Sequence, residues 1–91
     1  MEAITTEHAI ERAKDRCGLN KSAAKRMSDR VLIIGKTHGD FSGAFKKYLD
    51  KLYFKYKTAN NMRVYGQYIY LFNGNLLMTI LNKPSKFRSV K

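Results

Sequence analysis

Residues 60–84, NNMRVYGQYIYLFNGNLLMTILNKP, constrain what this chain can fold into more than any other stretch. Apolar and polar residues alternate as in half-buried strands, and two turn-forming dipeptides interrupt the alternation. Gly66-Gln67 has glycine first, as a two-residue type II′ turn needs. Asn73-Gly74 offers two residues that tolerate positive φ, as a type I′ turn needs. The spacing predicts three antiparallel strands. Across the first turn Tyr65 should face Tyr68 and Arg63 should face Tyr70. Across the second, Phe72 should face Asn75, Tyr70 should face Leu77 and Tyr68 should face Thr79. Side chains alternate along a strand, so one sheet face is aliphatic: Met62, Val64, Ile69, Leu71, Leu76, Met78 and Ile80. The other carries Arg63, Tyr65, Tyr68, Tyr70, Phe72, Asn75, Leu77 and Thr79. The aliphatic face needs a cover. The tyrosine face is expected to stay open to a polar, planar ligand.

The preceding residues supply the cover. Thr5 or Thr6 can cap a helix running to about Cys17, with Gly18 as its left-handed stop and Ile10, Ala13 and Cys17 as its apolar stripe. Asn20 can cap a second helix, with Ala23, Ala24, Met27, Val31 and Ile34 inward and Gly35 as its stop. Residues 36–42 read as a loop. Phe45, Tyr48, Leu49, Leu52, Tyr53 and Tyr56 then recur at helical spacing, which predicts a third helix from Ser42 to about Tyr53. Residues 85–91 form a short basic tail, expected to be loose. The pattern predicts an α+β fold. Two or three N-terminal helices, within about residues 6–55, pack on one face of a C-terminal antiparallel meander at about 61–83.

A chain of 91 residues allows one domain and little more. Its formal net charge is +11. Residues 1–20 set Arg12, Lys14 and Arg16 against Glu2, Glu7, Glu11 and Asp15, so the excess of positive charge lies in the remainder. Such a chain is attracted to nucleic acid or to another anionic surface. The single cysteine, Cys17, excludes an internal disulfide and fits a reducing, cytoplasmic setting. The aliphatic run at 31–34 is far too short to span a bilayer. No cofactor is expected. His8 and His38 stand apart with no Cys or carboxylate cluster beside them, so no metal site is expected. Gly35-Lys36-Thr37 looks like the end of a phosphate-binding loop, but Arg30 stands where the partner glycine should be.

Two constellations can carry chemistry. His8, Arg12 and Arg16 share a face of the first helix at i, i+4 and i+8, where an imidazole can move a proton and guanidinium groups can clamp phosphate. Taken without the sheet, the same residues read more readily as a solvated face whose arginines pair with Glu11 or Asp15. Arg63, Tyr65, Tyr68, Tyr70 and Thr79 suit a platform that stacks bases. They also read as ordinary strand residues, or as a second core layer beneath the third helix. Lys57 and Lys83 are further candidates for phosphate contact.

The segment ITTEHAIERAKDR at 4–16 resembles the opening HA-x-x-R helix of small bacterial and phage proteins grouped with the RelE/barnase-like ribonuclease fold. YIYLFNGNLLMTILNKP looks like the closing strands of phage and prophage proteins of similar length. The resemblance implies an RNA-binding, RNase-like domain working without metal. His8 and Arg12 match the helix motif, and Arg63, Tyr65, Tyr70 and Thr79 correspond by position on the open sheet face. In such an endoribonuclease a 2′-hydroxyl would attack the adjacent phosphate. His8 or Tyr70 would transfer protons, and Arg12 and Arg63 would stabilise the phosphorane. Arg16, Tyr65, Tyr68, Thr79, Lys57 and Lys83 would hold the RNA. The chain has no strand Glu or His on that face, and no Glu after Glu11, so binding without cleavage stays open. A reading from another class is a phage-encoded interaction module that inhibits a host nuclease or defence system. A DNA-binding module comes third, because no convincing recognition helix is present. The expected partners are RNA, a nucleic-acid-associated complex or a host protein.

Overall fold

The computed structural model describes residues 3–90. Its fold is α+β, with the elements β1 (Ile4–Thr5), α1 (Glu7–Cys17), α2 (Lys21–Ile34), α3 (Gly43–Lys55), β2 (Asn61–Tyr65), β3 (Tyr68–Asn73) and β4 (Leu76–Asn82) in chain order. The helix starts follow local chemistry. Thr6 Oγ1 accepts the Ala9 N–H at 3.1 Å and Asn20 Oδ1 accepts the Ala23 N–H at 2.8 Å, each satisfying a donor the helix leaves free. Gly18 ends α1 with φ 68°. Gly35 ends α2 differently. Its φ is −65°, so it is not a left-handed stop. A Cβ there would lie 2.6 Å from the Val31 carbonyl oxygen and 3.0 Å from Arg63 Cβ. Glycine is needed because α2 runs into β2 at this point. Beyond it, Lys36 and Val64 exchange backbone hydrogen bonds of 2.9 and 2.8 Å, which occupies the outer edge of β2.

The sheet order is β1-β4-β3-β2. The expected meander is present, and β1 adds a parallel strand to β4 that no sequence signal indicated. Two residues are too few to show a period. The first hairpin has the expected register, with Tyr65 opposite Tyr68 and Arg63 opposite Tyr70. The second does not. Its turn residues are Gly74 and Asn75, with Gly74 at φ 61°, and a bulge falls between Leu71 and Phe72. Phe72 therefore faces Leu77, Tyr70 faces Ile80 and Tyr68 faces Asn82. Asparagines at the start of β2 hold this arrangement. Gly74 N–H donates to Asn60 Oδ1 at 2.7 Å, Asn60 Nδ2 donates to Asn73 Oδ1 at 3.1 Å and Asn61 Nδ2 donates to the Gly74 carbonyl at 3.1 Å. The shift puts Ile80 on the tyrosine face and Thr79 opposite Leu71 on the aliphatic face, the reverse of the sequence expectation.

Both faces are covered, not one. Ala9, Ala13, Ala24, Val31 and Leu32 of α1 and α2 pack with Tyr70, Phe72, Leu77 and Ile80 in one core. Phe45, Leu49 and Leu52 of α3 pack with Met62, Val64, Ile69 and Leu71 in the other. The first two helices thus cover the tyrosine face, and the third covers the aliphatic face. Small residues explain the choice. Ala9 and Ala13 let α1 settle close over the large rings of Tyr70 and Phe72, and burying one such ring contributes roughly 2–3 kcal/mol. Space is a second reason. Four strands make a sheet about 19 Å wide, which takes two helices at roughly 10 Å each on one face. The third goes to the other.

The tail is packed as far as it is described, contrary to the expectation of a loose end. Phe87 is buried, with ring centroids 5.0 Å from Phe45 and 5.5 Å from Tyr48. Lys91 lies outside the described residues. Among the described residues no helix is long and apolar enough to cross a membrane.

Candidate nucleic-acid interface

The four residues expected to carry catalysis do not meet. His8 is exposed on α1. Arg12 is half-exposed and 4.0 Å from Asp15. Tyr70 is only 2% exposed, in the core beneath α1 and α2. Burial first, then Cys17, Tyr68 and Tyr65, pushes its hydroxyl far above the usual tyrosine range, so it holds its proton. Arg63 is committed to the scaffold. Its Nε donates to Asn61 Oδ1 at 3.0 Å and its Nη1 to the Gly35 carbonyl at 3.1 Å, tying β2 to the end of α2.

The expected binding residues divide in the same way. Thr79 is buried on the face that α3 covers, and Lys83 is buried near the Phe45 ring. Lys57 is exposed just beyond α3. Arg16 Nη1 donates to the Ile80 carbonyl at 2.7 Å, and Tyr68 Oη donates to the Arg16 carbonyl at 2.8 Å. These two bonds clip the last turn of α1 onto β3 and β4. At the Gly66-Gln67 end of the tyrosine face, Tyr65 and Tyr68 are half-buried.

A hollow of about 290 Å³ opens there, with Cys17, Leu19, Met27, Tyr65, Tyr68 and the edge of Tyr70 in its walls. A second, of about 320 Å³, shares Leu19 and Met27 and is bounded by Ala23, Arg26 and Arg30. The two hollows adjoin at Leu19 and Met27, so a groove runs from the β2–β3 hairpin, which lines only the first, onto α2. Tyrosine rings stand at one end and two exposed arginines, one turn apart on α2, at the other. Burial raises the Cys17 thiol from its usual value, although the Tyr68 hydroxyl and Arg16 pull it down, so this wall is a small apolar surface and not a nucleophile. Among the described residues no carboxylate or imidazole lines either hollow. Among the described residues no cluster of His, Cys, Asp or Glu could hold a metal ion.

Charge favours an anionic occupant. Among the described residues, Arg12 and Lys25 alone of the lysines and arginines lie within 4.0 Å of a carboxylate. Arg26 and Arg30 flank Lys25 and Asp29, which pair with each other at 2.9 Å and leave both guanidinium groups outside that pair. The groove can therefore offer ring edges to an unstacked base and planar, multidentate donors to the next phosphate. Sequence reading found Tyr65 and Tyr68 and took Met27 as inward, but assigned no role to Arg26 or Arg30. The signal was present as two arginines four apart, bracketing Met27. Comparison of the chain with family models, with curated proteins and with solved structures finds no match.

Proposed function

We propose that this protein binds single-stranded RNA in the groove that runs from the β2–β3 hairpin onto α2. The carrying observation is the groove itself, with Tyr65 and Tyr68 at one end and Arg26 and Arg30 at the other. A single strand can turn a base out against the Tyr65 and Tyr68 rings, whereas the bases of a duplex are stacked and paired within the helix. The choice of RNA over DNA draws on the resemblance of residues 4–16 to a ribonuclease fold. Binding without cleavage is the preferred reading, because no acid–base pair of the described residues lines the groove and Tyr70 is held protonated in the core.

The test is a fluorescence-anisotropy titration with short single-stranded RNA, beside the same sequence as a duplex and as DNA. Arg26→Ala/Arg30→Ala should weaken binding at least about tenfold and lower the salt slope by roughly 1.4, the loss of two phosphate contacts on a single strand. Tyr65→Leu should cost about 1–3 kcal/mol of stacking. Unchanged affinity in these variants, beside a loss of about tenfold in Lys47→Ala/Lys51→Ala on α3, would overturn the assignment of the groove.

The interaction-module reading keeps one favourable observation. Ile33 is 67% and Phe54 79% exposed, more apolar surface than nucleic acid binding requires. Capture of a host nuclease by the protein, abolished by Ile33→Ser or Phe54→Ser but not by Arg26→Ala/Arg30→Ala, would favour it.

A further inference from the structure

A separate cavity of about 350 Å³ lies on the other side of the Gly66-Gln67 turn from the groove. Phe41, Val64 and Val90 give it an apolar interior, Ile34 borders it, and Lys36 and Lys83 are its cations. Two features make it a built site. Lys36 is held at the rim by its backbone bridge to Val64. Lys83 as a whole residue is 7% exposed. Its backbone N–H donates to the Gln67 carbonyl at 2.9 Å, its ammonium donates to the Val90 carbonyl, and its Nζ lies 5.4 Å from the centre of the Phe45 ring. A carbonyl dipole and a ring face leave room for an anion beside an ammonium that is partly withdrawn from water. Burial, and then the nearby Lys36, lower its affinity for a proton. No carboxylate of the described residues lines the cavity.

We propose that this cavity binds a small amphipathic monocarboxylate, with its apolar body against Phe41, Val64 and Val90 and its carboxylate between Lys36 and Lys83. A carboxylate has two oxygens, one for each ammonium group, and offsets one of the two positive charges. A phosphate dianion carries more hydration than two lysines in an apolar cavity can replace. The cavity shares Tyr65, Gly66 and Gln67 with the groove but neither Arg26 nor Arg30, so its cations are its own.

The experiment is a ¹⁵N chemical-shift titration of the full chain with phenylacetate, compared with its neutral counterpart 2-phenylethanol. Phenylacetate should give saturable shifts at Val64, Gly66 and Val90, and 2-phenylethanol should bind about tenfold more weakly, the worth of one charge-assisted contact. Lys83→Met should abolish the preference for the carboxylate while leaving the alcohol bound, and Lys36→Met should reduce it. The absence of saturable shifts at those residues overturns the proposal, as does equal binding of the two probes. Should Lys83→Met fail to fold, the two probes on the wild type and on Lys36→Met decide the matter.

Discussion

Gly35 and Tyr70 show how single residues set the packing of this molecule. A Cβ at Gly35 would stand 2.6 Å from a backbone carbonyl that cannot move without unwinding α2. Gly35→Ala should therefore destabilise the fold by about 1–3 kcal/mol. Gly39 is a control with the same chemistry and open space, its nearest neighbour being Thr37 Oγ1 at 3.8 Å, and Gly39→Ala should stay within about 0.5 kcal/mol of the wild type. Urea denaturation of the two variants measures both effects. For Tyr70 the sign follows from burial. Its folded-state pKa is raised above the ordinary 10.0, so its contribution to stability is fully present below that pH. It is lost as pH rises from there toward the folded-state value. The wild type should lose stability above pH 10.0 more steeply than Tyr70→Phe, as read from denaturation midpoints on either side of that value.

At the scale of elements, what could be read from sequence was whatever depends on neighbours along the chain. The caps at Thr6 and Asn20, the Gly66-Gln67 turn and the spacing of Phe45, Leu49 and Leu52 all act within a few residues. The second hairpin was not legible in the same way. Asn73-Gly74 and Gly74-Asn75 are both competent turns, and the choice falls to Asn60 and Asn61, more than a dozen residues away. The hydrophobic payoff of burying Leu77 and Ile80 beside Phe72 supports the same choice. Removing the distant ties should show this. Asn60→Ala should lower stability by roughly 1–3 kcal/mol, the net worth of its two side-chain hydrogen bonds. Gly74→Ala should cost about 1–2 kcal/mol, because φ there is 61°. Hydrogen exchange should locate the change in the Asn60 variant at residues 72–77 rather than at the first hairpin.

The layering of the whole molecule explains why the candidate site differs from the one the sequence suggested. Strand alternation separates two faces but does not say which helix takes which. The tyrosine face reads as open only while its helices are assigned elsewhere. Once Ala9 and Ala13 bring α1 over Tyr70 and Phe72, that face becomes core, and Arg63 and Arg16 become ties between layers. What survives of the expected platform is its margin, Tyr65 and Tyr68. What completes it, Arg26 and Arg30, comes from a helix whose exposed side carried no assignment. The +11 charge was legible throughout, but charge states an attraction and not a place. The most direct measurement is a ¹H–¹⁵N chemical-shift map of the protein titrated with a short single-stranded RNA. The expected result is saturable shifts at Leu19, Ala23, Met27, Tyr65 and Tyr68, with Lys47, Lys51 and Phe54 on α3 unmoved. Shifts centred on α3, with the groove silent, would contradict the account.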